Sequence, residues 1–123
     1  MAIKGVLRNI IYVKDMAKMV AFYRDVMGLT LNYPHVDDYS GQFWVEFQAG
    51  AITIALHAGG TGEASKGAPK IVFAVDDIEA EHKRLTDAGV KMTDIANVAP
   101  QVFSADCWDS EGNYFSIDYH TDE

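Results

Sequence analysis

Cysteine is almost absent from this chain. Cys107 stands alone, so an internal disulfide is excluded and a reducing compartment is compatible. Long apolar runs are missing too: none approaches the roughly 20 residues that a membrane helix needs. The opening residues, MAIKGVLRNIIYVKD, place charges where a secretory leader would need an apolar stretch, so the expected location is cytoplasmic. Basic residues are scarce. Ten Lys and Arg stand against eighteen Asp and Glu, a net charge of −8, which argues against nucleic acid because phosphate neutralisation needs clustered cations. The imbalance is local. Residues 1–60 carry five basic and five acidic side chains, whereas the remainder carries five and thirteen.

What is present suits a small globular protein. A chain of 123 residues with 49% apolar side chains supplies one domain with a real core. At 23% charged, with six Phe and six Tyr, it does not read as disordered. Cys107 itself reads as a small buried hydrophobe, since nothing basic or histidine-rich adjoins it in sequence.

An internal repeat organises the chain. Val13–Met16 (VKDM) matches Val75–Ile78 (VDDI) at an offset of 62, and Gly28-Leu29 matches Gly89-Val90 at an offset of 61. Each copy reads as strand, acidic cap, amphipathic helix, terminating glycine and strand. Arg8, Ile10 and Tyr12 alternate with Leu7, Asn9, Ile11 and Val13, a period-2 pattern. Asp15 is placed to cap a helix whose apolar stripe is Met16, Met19, Val20, Tyr23, Val26 and Met27. In the second copy, Lys70–Val75 reads as a strand. Asp76 with Glu79 has the spacing of a capping box, and Ile78, His82, Leu85 and Ala88 form the stripe. On that face His82 reads as a structural histidine. Gly28 and Gly89 suit the left-handed position past each helix.

Further strands are expected at Thr30–Tyr33, Gln42–Gln48 and Ala51–His57, then at Lys91–Asp94, Val102–Trp108 and Asn113–His120. One face of each is apolar, and the other carries polar and aromatic groups. Module one thus covers about residues 5–57 and module two about 69–120, with a linker at 58–68. The linker glycines lack the Gly-Lys-Ser/Thr helix start of a phosphate loop, and Ser65 has no nucleophile-elbow pattern.

The runs Ile11–Asp15 (IYVKD) and Ala21–Leu29 (AFYRDVMGL) resemble the opening of the glyoxalase/bleomycin-resistance/extradiol-dioxygenase superfamily, the vicinal oxygen chelate proteins. Phe73–Ile78 (FAVDDI) and Asp109–Asn113 (DSEGN) look like its second-module counterparts, with Ser110 where the family commonly has Pro. The resemblance implies an α+β fold of two tandem βαβββ modules forming a curved mixed sheet around a cavity, all within one domain. It also implies a homodimer. Enzymes of this family hold a divalent metal through His or Glu on the first and last strands of each module. Carried over, those positions fall on Arg8, Ala55, Lys70 and Ser116, none of which suits such an ion. The expectation is therefore no metal and no cofactor. His57, Asp118, His120 and Glu46 are the candidates for a displaced metal site, and His57, Asp118 and His120 for metal-free acid-base catalysis. A turn-rich loop with His35, Asp37 and Asp38 reads as solvated rather than as a lid.

Within the family, a short, acidic chain lacking the metal set most resembles the drug-sequestering bleomycin-resistance type. That implies a small-molecule-binding protein, with a lyase, isomerase or dioxygenase-type enzyme as the alternative. Tyr12, Trp44, Trp108 and Tyr114 fall on the polar-facing sides of their strands, where they can stack a planar ligand. Arg8 and Lys70, set face to face by the resemblance, would need an anion to offset their repulsion. Glu46 and Asp118 are the internal candidates and a ligand carboxylate or phosphate the external one. The expected ligand site is Arg8, Tyr12, Trp44, Glu46, His57, Lys70, Trp108, Tyr114, Ser116, Asp118 and His120.

Overall fold

The computed structural model describes residues 6–63 and 69–121. The chain divides into two compact units, Met1–Gly62 and Glu63–Glu123. Both are α+β, and each carries its own mixed sheet rather than a share of a single one.

In the first unit, β1 (Arg8–Val13) leads into α1 (Met16–Ala21), followed by β2 (Thr30–Tyr33), β3 (Trp44–Ala49) and β4 (Ile52–Ala58). The strand order is β1-β4-β3-β2, with β1 parallel to β4 and the other neighbours antiparallel. Asp15 caps α1 as expected, its carboxylate accepting from the Lys18 amide at 3.1 Å. The helix does not run on as a plain α-helix. Phe22–Val26 forms a π-helical turn, and the Met27 amide reaches back to the Phe22 carbonyl. The widened turn rotates the apolar stripe, so adjacent Phe22 and Tyr23 are both buried while Val26 and Met27 are only half-buried. Met16, Met19, Val20 and Tyr23 are buried in the core with Val13, Val45, Phe47, Ile54 and Leu56, and the Tyr23 and Phe47 rings lie 6.4 Å apart. Gly28 takes the left-handed conformation, φ 79°.

The second unit repeats the plan: β5 (Ile71–Ala74), α2 (Ile78–Asp87), β6 (Lys91–Met92), β7 (Ala96–Ala99), β8 (Val102–Trp108) and β9 (Tyr114–His120). Its order is β5-β9-β8-β6, with β7 also paired to β8. Two expectations are corrected here. The cap of α2 is Asp77, not Asp76: its extended backbone precedes Ile78 and its carboxylate accepts from the Ala80 amide at 3.0 Å. The repeat offset, which matches Asp77 to Asp15, pointed to the right residue where the capping-box spacing did not. The strand expected at Lys91–Asp94 stops at Met92, and the chain pairs again as β7, wholly exposed. A strand of four residues with no buried face leaves no period-2 signal to read.

His82 is the structural histidine anticipated, its Nε2 meeting the Thr93 carbonyl oxygen at 2.9 Å. Cys107 is fully buried, and burial pushes its thiol pKa up to about 11. The family-like turn Asp109–Asn113 is held by a buried carboxylate. Asp109 Oδ1 accepts from the Glu111 and Asn113 amides, each at 2.9 Å, and Asn113 Nδ2 donates to both carboxylate oxygens. Of the linker, Ala58 completes β4, and Ser65 lies outside the described residues.

Candidate functional site

In the first unit, α1 covers one face of the sheet, and strand alternation sends the remaining side chains to the other. Register then decides what meets. Tyr12 of β1, His57 of β4 and Trp44 of β3 are successive partners across three strands. The His57 ring lies 4.7 Å from Tyr12, 4.4 Å from Phe43 and 6.0 Å from Trp44, centroid to centroid. Its Nδ1–H donates to the Ala58 carbonyl at 2.6 Å, which in the neutral ring leaves Nε2 as an acceptor.

One register step along, Glu46 stands opposite the fully buried Ala55. Its own exposure is only 7%. Both neutral donors converge on one oxygen: the Tyr33 hydroxyl reaches Oε1 at 3.0 Å, and the Trp44 indole N–H reaches the same atom at 3.4 Å. Among the described residues no cation pairs with this carboxylate. Arg8 instead lies over the Trp44 ring, 5.6 Å from its centroid.

The second unit builds a different face. Lys70 immediately precedes β5, Tyr114 lies on β9, Trp108 on β8 and Lys91 on β6, so three successive strands and the residue leading into the fourth contribute one side chain each. Trp108 and Tyr114 stack with centroids 5.6 Å apart and planes at 29°. Lys70 Nζ sits 4.9 Å from the Tyr114 centroid and Lys91 Nζ 5.1 Å from that of Trp108. The Tyr114 hydroxyl donates to Asp106 at 2.9 Å, and Lys70 approaches the same carboxylate at 4.0 Å. Nearby, Asp118 Oδ1 accepts from Ser104 at 2.8 Å and from Ser116 at 2.9 Å. His120 is exposed at the end of β9, opposite Val102.

The expected counter-charges are therefore redistributed. Lys70 has Asp106 as its acidic neighbour, while Glu46 and Asp118 are held by neutral donors. Sequence reasoning passed over Tyr33, Phe43, Lys91, Ser104 and Asp106. The parity of β8 contained the signal for two of them, because Ser104 and Asp106 alternate in step with Trp108. Tyr33 was hidden by a bulge between Leu31 and Tyr33 that resets the register of β2. The loop histidine, His35, meets the Asn32 carbonyl at 3.1 Å, and the Ser40 amide bonds Asp38 and lowers its pKa.

The four residues that the resemblance assigns to the metal positions are not the usual donors of a divalent ion. Arg8 and Lys70 are cationic donors resting on aromatic rings, Ala55 has no donor atom, and Ser116 is committed to Asp118. Among the described residues, no three His, Cys, Asp or Glu side chains come together as a metal-binding group.

The sequence matches the Glyoxalase/Bleomycin resistance protein/Dioxygenase superfamily over residues 5–117. The chain belongs to that superfamily. Solved structures share the fold. TnmS3, an antibiotic binding protein from Streptomyces sp. CB03234, is 20% identical with a TM-score of 0.77, over 98% of this chain and 99% of that one. The genomically encoded fosfomycin resistance protein FosX from Listeria monocytogenes is 20% identical with a TM-score of 0.76, over 97% and 95%. Lactoylglutathione lyase from Agrobacterium tumefaciens is 18% identical with a TM-score of 0.75, over 97% and 96%. No curated protein matches the chain. Within the described residues no helix is long and apolar enough to cross a membrane.

Proposed function

We propose that the protein sequesters a small, planar organic molecule without a metal and without turnover, in the manner of an antibiotic-binding protein. The observation that carries this reading is the row Tyr12, His57 and Trp44. It presents aromatic surface beside a buried carboxylate, on the sheet face that α1 leaves uncovered. Such a surface offers stacking area with few, well-placed polar groups. The stacked Trp108–Tyr114 pair offers a second platform in the other unit. Two further considerations support the reading: the donor chemistry at the positions that the resemblance assigns to metal ligands, and the fold shared with TnmS3, an antibiotic binding protein.

The protein acts in the cytoplasm as a homodimer in this proposal. β1 ends its sheet with Ile10 and Tyr12 exposed, a surface that pairing would cover. Light scattering at micromolar concentration reads a dimer mass if so, and a monomer mass refutes it.

Binding is tested by thermal shift and calorimetry against a panel of planar aromatic antibiotics, with mass spectrometry of the recovered compound. Saturable binding, lost at least ten-fold in Trp44→Ala, with the compound recovered intact and no metal in the sample, is the expected result. A chemically altered compound would move the protein to the enzyme alternative, with His57 Nε2 as the first base to examine. A requirement for one divalent ion per chain would overturn the metal-free reading.

A further inference from the structure

We infer that the first unit's face is selective for charge: Glu46 is a subsite for the cationic amine of an aromatic ligand. The inference rests on the proposal that this face binds a small molecule, and it adds the ligand's sign. A carboxylate that is over nine-tenths buried is costly to leave without a positive partner. Glu46 has none among the described residues, and its two neutral donors both occupy Oε1, so Oε2 has no protein donor among those residues and is open to a ligand. The local cation is already placed elsewhere. Arg8 registers with Thr53, two residues from the Ala55 that faces Glu46, and its guanidinium rests on Trp44.

The walls around the carboxylate are aromatic. Tyr33 and Trp44 touch it directly, and Tyr12, Phe43 and His57 continue the surface. Ring faces attract an ammonium group through their quadrupole while a fused aromatic body stacks. The net charge of −8 draws cations toward the protein at long range. The opposite choice, an anion held by Lys70, is less favoured because Asp106 and the Tyr114 ring already lie beside that amine.

Three naphthalene probes of one shape decide the matter: one with an aminomethyl group, one with a hydroxymethyl group and one with a carboxylate. Each is titrated calorimetrically into wild type and Glu46→Gln. The glutamine keeps an oxygen able to accept from Tyr33 and Trp44, so the fold should persist, and a melting curve checks that it does. The aminomethyl probe is expected to bind wild type at least ten-fold tighter than either other probe, and to weaken at least ten-fold in Glu46→Gln. The hydroxymethyl probe should bind both proteins within two-fold. Equal binding of all three probes, or tightest binding of the carboxylate, overturns the charge selectivity and leaves the binding proposal standing. No binding by any probe to wild type overturns both. Should Glu46→Gln fail to fold, the three probes are ranked on wild type in about 0.5 M salt, which screens the long-range field, and loss of the amine preference there overturns the Glu46 subsite.

Discussion

Replacing Asp109 by alanine should destabilise the second unit more than any other single change in its turns. The side chain is 6% exposed and accepts two backbone amides, from Glu111 and Asn113, each at 2.9 Å. Alanine leaves both N–H groups without that acceptor in a part-buried turn, and it releases Asn113 Nδ2 as well. An orphaned, partly buried donor costs about 1–1.5 kcal/mol, so the pair amounts to about 2–3 kcal/mol. Unfolding entropy of about 2.1 cal/mol/K per residue, applied to 123 residues, converts this into a fall in Tm of about 8–12 °C. Asp109→Asn retains one acceptor oxygen for both amides but turns a donor toward Asn113 Nδ2, so its loss should be about 1 kcal/mol. Urea and thermal unfolding followed by far-UV circular dichroism measure both variants. A Tm for Asp109→Ala within 2 °C of wild type would show that water replaces the carboxylate without cost, and the accounting of that turn would be wrong.

Three other outcomes are expected. Gly60→Ala should cost about 1–3 kcal/mol, because its Cβ would stand 2.7 Å from the Tyr12 and Val13 backbone, whereas Gly41→Ala, with open space, should be near neutral by urea unfolding. Cys107 should resist a disulfide reagent at pH 8 until the protein is denatured. Burial raises its folded pKa from 9.0 to about 11, so the stability tied to the protonated thiol is intact below about pH 9 and is lost as pH rises through 11. A Cys107→Ala variant whose urea midpoint falls as steeply as that of wild type between pH 8 and 10.5 would contradict this. Ser116→Ala removes one of two hydroxyl donors to Asp118 and should lower stability by about 1 kcal/mol, read as a Tm fall of about 3–5 °C.

Much of the architecture was legible in the residues because its causes are local. A carboxylate before a helix, a glycine after it and a period-2 or 3.6 pattern between them act over a few positions. Two copies of that grammar at a nearly constant offset then imply the same module twice. The separation of faces was also local: once alternation sets Ile11 and Val13 inward, Arg8 and Tyr12 must point away. The errors arose where a local signal was degenerate or missing. Asp76 and Asp77 are chemically equivalent caps, so the local spacing to Glu79 misled where the repeat offset to Asp15 and the backbone entering α2 select Asp77. The π-helical turn at Phe22–Val26 answers the packing of two adjacent aromatic rings, which no helical period encodes.

Which polar groups meet is a different matter, because it depends on register between strands far apart in sequence. Tyr33 reaches Glu46 only through the bulge in β2. Asp106 becomes the neighbour of Lys70 only because β8 and β9 pair with Trp108 opposite Tyr114. A shift of one residue in either ladder would send every one of these side chains to the opposite face. The sequence alone therefore determined which side chains face away from the helices. Hydrogen bonding between distant strands decided their partners, and so decided that Lys70 has an acid beside it while Glu46, among the described residues, is held by neutral donors.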